Sequence, residues 1–189
     1  MSLTITPTTT TGSQHTMNHQ HYLQFALAEA KKSPPKPTNY CVGALLVSPS
    51  SSPPLLVTGY TLECPGNTHA EQSCFIKLAA RHGIAAADAE EKLGPLLPED
   101  VVLYTTMEPC NQRSPGNMTC VERILKLKRE DGTQAVKTVV CGVHEPEKFV
   151  GENQGRKRLK EAGIEVLHVG GMEEEILAVA TAGHEKNAT

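Results

Sequence analysis

The chain has 189 residues, 39% of them hydrophobic and 21% charged, which suits one globular domain with a proper core. Its net charge of −3 argues against a protein that lives on phosphate backbones. No stretch approaches the roughly 20 apolar residues of a membrane span, so neither nucleic acid nor membrane is expected as a partner.

Residues 1–16 are a Thr-rich, low-complexity tail with no basic n-region, apolar h-region or arginine, so neither a signal nor a transit peptide is expected. A single domain is expected over 17–189. The six cysteines, without an export signal, read as core residues or metal ligands of a cytoplasmic protein before they read as disulfides.

Tyr22, Leu23, Phe25, Ala26, Leu27 and Ala30 recur at helical spacing over 17–32, and the SPPKP run breaks that helix. The apolar runs at 41–48 and 55–63, joined by a Pro/Ser loop, predict a hairpin. A helix is expected over 70–82, and the Ala-rich stretch 84–99 reads as a surface excursion. Strands are expected over 101–107, 138–143 and 165–170, and helices over 120–130, 155–163 and 172–181. Helical crossovers between the last three strands imply parallel pairing. The expected fold is α/β, a three-layer α/β/α sandwich on a five-stranded mixed sheet.

His69-Ala70-Glu71 opens the second long helix, Pro109-Cys110 follows the third strand, and Cys120 opens the next helix. One imidazole and two thiolates suit one Zn2+ per chain, and three protein ligands leave the fourth tetrahedral position for water. Glu71, two residues from His69, can reach that position without ligating the metal. Both thiolates are expected at helix N-termini, where the dipole favours negative charge. Because two thiolates cancel the dication, a carboxylate base is needed, and Glu71 is assigned as the catalytic acid–base. H-x-E followed by P-C and a further cysteine is the signature of the zinc deaminases. Cys41, Cys74 and Cys141 fall in apolar elements and read as packing residues, with Cys64 left open.

The two metal cysteines are separated by nine residues, NQRSPGNMT, where the common deaminase form has two. Both sulfurs must meet one ion at about 2.3 Å, so this segment has to bulge out at the mouth of the site. Asn111, Arg113 and Asn117 become candidate substrate contacts on it. A plain surface insertion is the competing reading.

With these motifs in place, the chain resembles the deaminases of riboflavin biosynthesis, especially the fungal form, over about residues 17–169. T-N-Y-C-V-G at 38–43 resembles a bacterial P-N-P-x-V-G whose Asn contacts the pyrimidine, which would give Asn39 that role. T-T-M-E-P-C, with its long gap to Cys120, resembles their T-x-E-P-C, and the stretch 142–164 resembles a third family segment. Asn67, His144 and Glu145 join the candidate substrate contacts. The chain departs from the bacterial pattern at Glu145, at Leu62 in place of a His, and in a loop lacking the usual His. These departures fit a substrate with an open ribityl chain.

The resemblance implies hydrolysis of 2,5-diamino-6-ribitylamino-4(3H)-pyrimidinone 5′-phosphate to 5-amino-6-ribitylaminouracil 5′-phosphate and ammonia. Arg113, Lys148 and the run Arg156-Lys157-Arg158 are candidates for the phosphate, although a solvated helix face explains that run equally well. The bacterial reductase domain is expected to be absent, and a homodimer is left open. Three rivals stand beside this reading: a deaminase of another free base or nucleoside, a nucleic-acid base deaminase, and a non-catalytic zinc module. The nucleic-acid reading lacks the basic groove and stacking aromatics it needs, with no Trp, four Tyr and three Phe. The non-catalytic reading leaves Glu71 without a use.

Overall fold

The computed structural model describes residues 18–144 and 154–184. Asn18 caps helix α1 (His19–Ala30), its side chain accepting the His21 N–H at 3.0 Å. Leu23, Ala26, Leu27 and Ala30, spaced i, i+3, i+4 and i+7, form its buried face. Strands β1 (Gly43–Val47) and β2 (Leu55–Tyr60) make the expected antiparallel hairpin. Helix α2 (Ala70–Arg81) and strand β3 (Val101–Met107) follow. Then come α4 (Cys120–Lys126), β4 (Val136–Val143), α5 (Gln154–Glu161), β5 (Glu165–His168) and α6 (Glu173–Ala180). Between α2 and β3 lies a short helix, α3 (Ala89–Lys92).

The sheet order is β2-β1-β3-β4-β5. β1 pairs antiparallel with both β2 and β3, and β3, β4 and β5 run parallel. The expected five-stranded mixed sheet is therefore present.

Period-two alternation divides the interior into two layers. Ala44, Leu46, Val101 and Leu103 face the layer of α2, α3, α4 and α5. Leu45, Val47, Val102 and Tyr104 face α1 and α6. Burial on both faces explains why β1 reads as an unbroken apolar run, and β3 is likewise buried throughout its length.

The segment 84–99 differs from its expected role. Ala89, Leu93 and Leu97, spaced by four, are fully or nearly fully buried in the α2 layer. Gly94 packs so tightly that a Cβ would stand 2.1 Å from the Lys128 carbonyl oxygen. Ala89 and Gly94 allow close approach here, while Ala85, Ala86 and Ala87 are exposed as expected. Helix α4 also ends earlier than expected, because residues 128–134 turn back through Gly132 at φ +81° and bridge Lys128 to Gln134. Cys41, Cys74 and Cys141 are buried packing residues, and Cys64 is half-buried.

Candidate active site

The starts of α2 and α4 converge with the C-terminal end of β3, the central strand of the sheet. α2 leans on β2 at Gly59, where a Cβ would lie 2.5 Å from the Ala70 carbonyl oxygen. That contact sets the first turn of α2, with His69 at its N-cap in extended conformation. The His69 side chain makes no capping bond, which leaves its imidazole to face the site. Glu71 follows in the first turn and is buried.

Across from it, α4 starts with a capping box. The Glu122 N–H donates to Thr119 Oγ1 at 3.2 Å, and the Thr119 N–H donates to Glu122 Oε2 at 2.8 Å. This fixes Cys120 as the first helical residue. Cys110 lies on the turn after β3, held by the Val121 N–H donating to its carbonyl at 3.2 Å. Only Cys120 belongs to a helix N-terminus. Cys110 borrows that end, its Sγ accepting the Cys120 N–H at 3.4 Å.

The metal-ligating atoms of His69, Cys110 and Cys120 all lie within 4.8 Å of one another. His69 Nδ1 stands 3.5 Å from Cys110 Sγ and 3.3 Å from Cys120 Sγ. Bond lengths near 2.0 Å to nitrogen and 2.3 Å to sulfur, at tetrahedral angles, put such atoms about 3.6 Å apart. The three residues therefore fit a zinc ion, and the nine-residue loop closes on it as expected.

The electrostatics favour thiolate at this corner. The Cys120 thiol, His69 and the Cys120 N–H all stabilise a charged Cys110 sulfur, which is pushed down to about 4. The Cys120 thiol, which donates in that contact and is buried, is pushed up in turn. Burial raises the Glu71 carboxyl above the ordinary glutamate range. Its Oε2 lies 3.3 Å from Cys120 Sγ.

These groups open into a cavity of about 220 Å³ whose wall includes Asn39, Asn67, His69, Glu71, Cys110 and Arg113. Asn39 Oδ1 is buried and has no partner among the described residues, an acceptor held ready for a ligand. Arg113 crosses the rim, its guanidinium donating to the Asn67 carbonyl at 2.6 Å and to the Met118 carbonyl at 3.3 Å.

Other expected contacts fall elsewhere. Asn111 turns away from the cavity, because its Oδ1 accepts from Arg158 at 2.7 Å. Asn117 is exposed and closes its own turn onto the Ser114 carbonyl at 3.4 Å. His144 also lies outside the wall, stacked on His168 with ring centroids 4.3 Å apart. Glu145 and Lys148 lie outside the described residues. Arg156 is no free surface cation either. Its Nε and a terminal nitrogen donate to the two oxygens of buried Glu108, each at 3.2 Å.

Several wall residues went unassigned in the sequence. Thr38 and Tyr40 flank Asn39, Glu108 precedes Pro109-Cys110, and Gln112 and Ser114 flank Arg113. Thr61 and Met107 complete that side. Position beside a recognised motif is the signal that could have found the first five.

Residues 16–143 match the family model described as the cytidine and deoxycytidylate deaminase zinc-binding region. A Schizosaccharomyces pombe protein named diaminohydroxyphosphoribosylamino-pyrimidine deaminase is 35% identical over 167 residues, covering 88% of this chain. The chain spans 36% of that relative's length. A crystal structure of the Aspergillus oryzae Rib2 deaminase (a C-terminal deletion mutant, at pH 4.6) is 43% identical with a TM-score of 0.78, over 89% of this chain and 93% of that one. The same deletion mutant in complex with DARIPP is 41% identical with a TM-score of 0.75, over 88% and 92% of the two chains. Acinetobacter baumannii RibD is 27% identical with a TM-score of 0.60, over 87% of this chain and 38% of that one.

Proposed function

The chain belongs to the cytidine and deoxycytidylate deaminase family, and from that premise we propose that it is the zinc-dependent pyrimidine deaminase of riboflavin biosynthesis. Its substrate in this reading is 2,5-diamino-6-ribitylamino-4(3H)-pyrimidinone 5′-phosphate. Water replaces the ring amino group, giving 5-amino-6-ribitylaminouracil 5′-phosphate and ammonia. Likeness to the Schizosaccharomyces pombe deaminase, and to an Aspergillus oryzae enzyme crystallised with DARIPP, supports this choice over cytidine or guanine.

One observation carries the chemistry: a buried carboxylate stands beside the three gathered ligand atoms without joining them. Zinc bound by His69, Cys110 and Cys120 supplies the Lewis acidity that makes water nucleophilic near neutral pH. Glu71 takes one proton from the attacking water and passes it to a ring nitrogen, then carries the remaining hydroxyl proton to the departing amine as the carbonyl forms. Its raised pKa suits a group that must hold a proton between those two transfers. Asn39 Oδ1 accepts an N–H from the ring and orients it. The 220 Å³ cavity holds the heterocycle, and the ribityl phosphate leaves by the rim that Arg113 crosses.

No helix among the described residues is long and apolar enough to cross a membrane. A cytoplasmic setting suits a centre that depends on two reduced thiols. The deciding experiment incubates the zinc-loaded protein with the ribityl pyrimidine, cytidine and guanine while measuring ammonia. Release from the ribityl pyrimidine alone is expected; preference for either other compound overturns the substrate assignment.

A further inference from the structure

The end of α6 touches the back of the cavity wall at groups the proposed chemistry leaves unused. His184 Nε2 lies 3.0 Å from the Asn39 carbonyl oxygen, so that nitrogen carries the proton and donates. The His184 ring packs on Tyr40, with centroids 4.7 Å apart and planes at 60°. The Cys41 N–H donates to the Ala180 carbonyl at 2.9 Å. Gly183 runs so close to the strip that a Cβ would meet the Lys36 nitrogen at 2.3 Å.

Among the described residues the strip also touches Ser33, whose carbonyl oxygen lies 3.8 Å from Cys41 Sγ. Residues 34–38 are exposed, and the Asn39 N–H makes a long bond of 3.4 Å to the Lys36 carbonyl. Yet its far side is the wall, since Asn39 and Tyr40 both line the cavity with His69 and Glu71. An acceptor such as Asn39 Oδ1 selects a ligand only when the backbone carrying it is fixed.

We propose that His184 is a positioning residue for substrate binding: its bond to the Asn39 carbonyl and its packing on Tyr40 fix this wall of the cavity. Gly183 is required because only a residue without a Cβ lets that contact form. The proposal rests on the cavity being the substrate site, as argued above.

The test compares His184→Ala, His184→Gln and Gly183→Ala with wild type by amide hydrogen exchange of residues 36–41 and by steady-state kinetics. Loss of one neutral hydrogen bond changes local opening by roughly two- to tenfold. Exchange at Asn39 and Cys41 should speed up by that factor in His184→Ala and Gly183→Ala. Glutamine, which retains an N–H donor, should restore much of the protection. KM for the ribityl pyrimidine should rise by a similar factor while kcat stays within about twofold of wild type, the split expected when ground-state binding alone is lost. Unchanged exchange in both His184→Ala and Gly183→Ala overturns the proposal, as does faster exchange with an unaltered KM. Exchange needs no substrate. A wild-type protein that fails to deaminate the ribityl pyrimidine therefore defeats the substrate assignment, while exchange still decides whether His184 orders the wall.

Discussion

Glu71 Oε2 and Cys120 Sγ lie 3.3 Å apart, which brings the first turn of α2 directly against the first residue of α4. The buried Cys120 thiol, pushed up by its contact with Cys110 and by burial, donates to that carboxylate.

Glu71→Gln therefore tests the proton-transfer role directly. The amide matches the carboxylate in shape but cannot accept the proton from water. Turnover should fall by about 10²–10⁴-fold, with metal content near one zinc per chain by elemental analysis. Turnover near wild type in a zinc-replete variant would assign the proton to another group.

The capping box on α4 gives a second prediction. Thr119→Ala removes a side chain that both accepts from the Glu122 N–H and donates to Glu122 Oε2 at 2.9 Å. Loss of such a cap costs about 0.5–2 kcal/mol. Because Cys120 is the next residue, zinc should also be lost at lower chelator concentration than in wild type. The two bonds from Thr119 hold the Glu122 carboxyl below its ordinary range. A depressed carboxyl stabilises the fold above its unfolded pKa of about 4.3, and that stabilisation is lost as pH falls through the lower folded value. The stability gap between wild type and Thr119→Ala should thus narrow on acidification below about pH 4.3. Thermal melts from pH 7 downward measure it; a gap that is constant with pH would detach Glu122 from the cap.

The metal ligands were legible because residue type, spacing and element boundary all pointed one way. His69 and Cys120 each stand at a helix start, and Cys110 follows a buried strand. Parallel pairing of β3, β4 and β5 followed from the helical crossovers between them. Substrate contacts were less legible, since they depend on which way a loop side chain turns. Asn111 and Arg113 are two residues apart on one loop, yet Arg158 captures the first and the Asn67 carbonyl captures the second. Neither partner is near in sequence. Within 84–99 the buried positions misled for a related reason: Ala89 and Gly94 carry little hydrophobic signal, yet they pack closely.

Arg113, which lines the cavity, is the cation proposed to meet the phosphate. Its guanidinium bridges Asn67 and Met118 across the rim, so among the described residues three of its five donors remain for a ligand. Arg113→Ala should weaken the phosphorylated substrate by about 1.5–3 kcal/mol, roughly ten- to hundredfold in KM. A dephosphorylated analogue should be affected much less. Equal losses on both compounds, in a variant that melts like wild type, would limit Arg113 to bracing the loop.

The remaining prediction concerns Glu108 and Arg156, which join the end of β3 to α5. Glu108 has its side chain 3% exposed, whereas that of Arg156 is 38% exposed. Arg156 meets both carboxylate oxygens at 3.2 Å, and His144 Nδ1 lies 3.3 Å from one of them. Removing the guanidinium strips two donated hydrogen bonds from a buried carboxylate, so the cost is asymmetric. Arg156→Ala should lose about 1–3 kcal/mol, or several degrees in Tm for a chain of this size. Glu108→Gln is the informative partner, because the amide is neutral when buried and still accepts one Arg156 N–H. Glu108→Gln combined with Arg156→Ala should therefore cost less than the two single changes added together. Glu108 also lines the cavity, so Arg156→Ala should raise KM even below its melting range. Additive losses in the double variant would mean that the two side chains stabilise the fold separately.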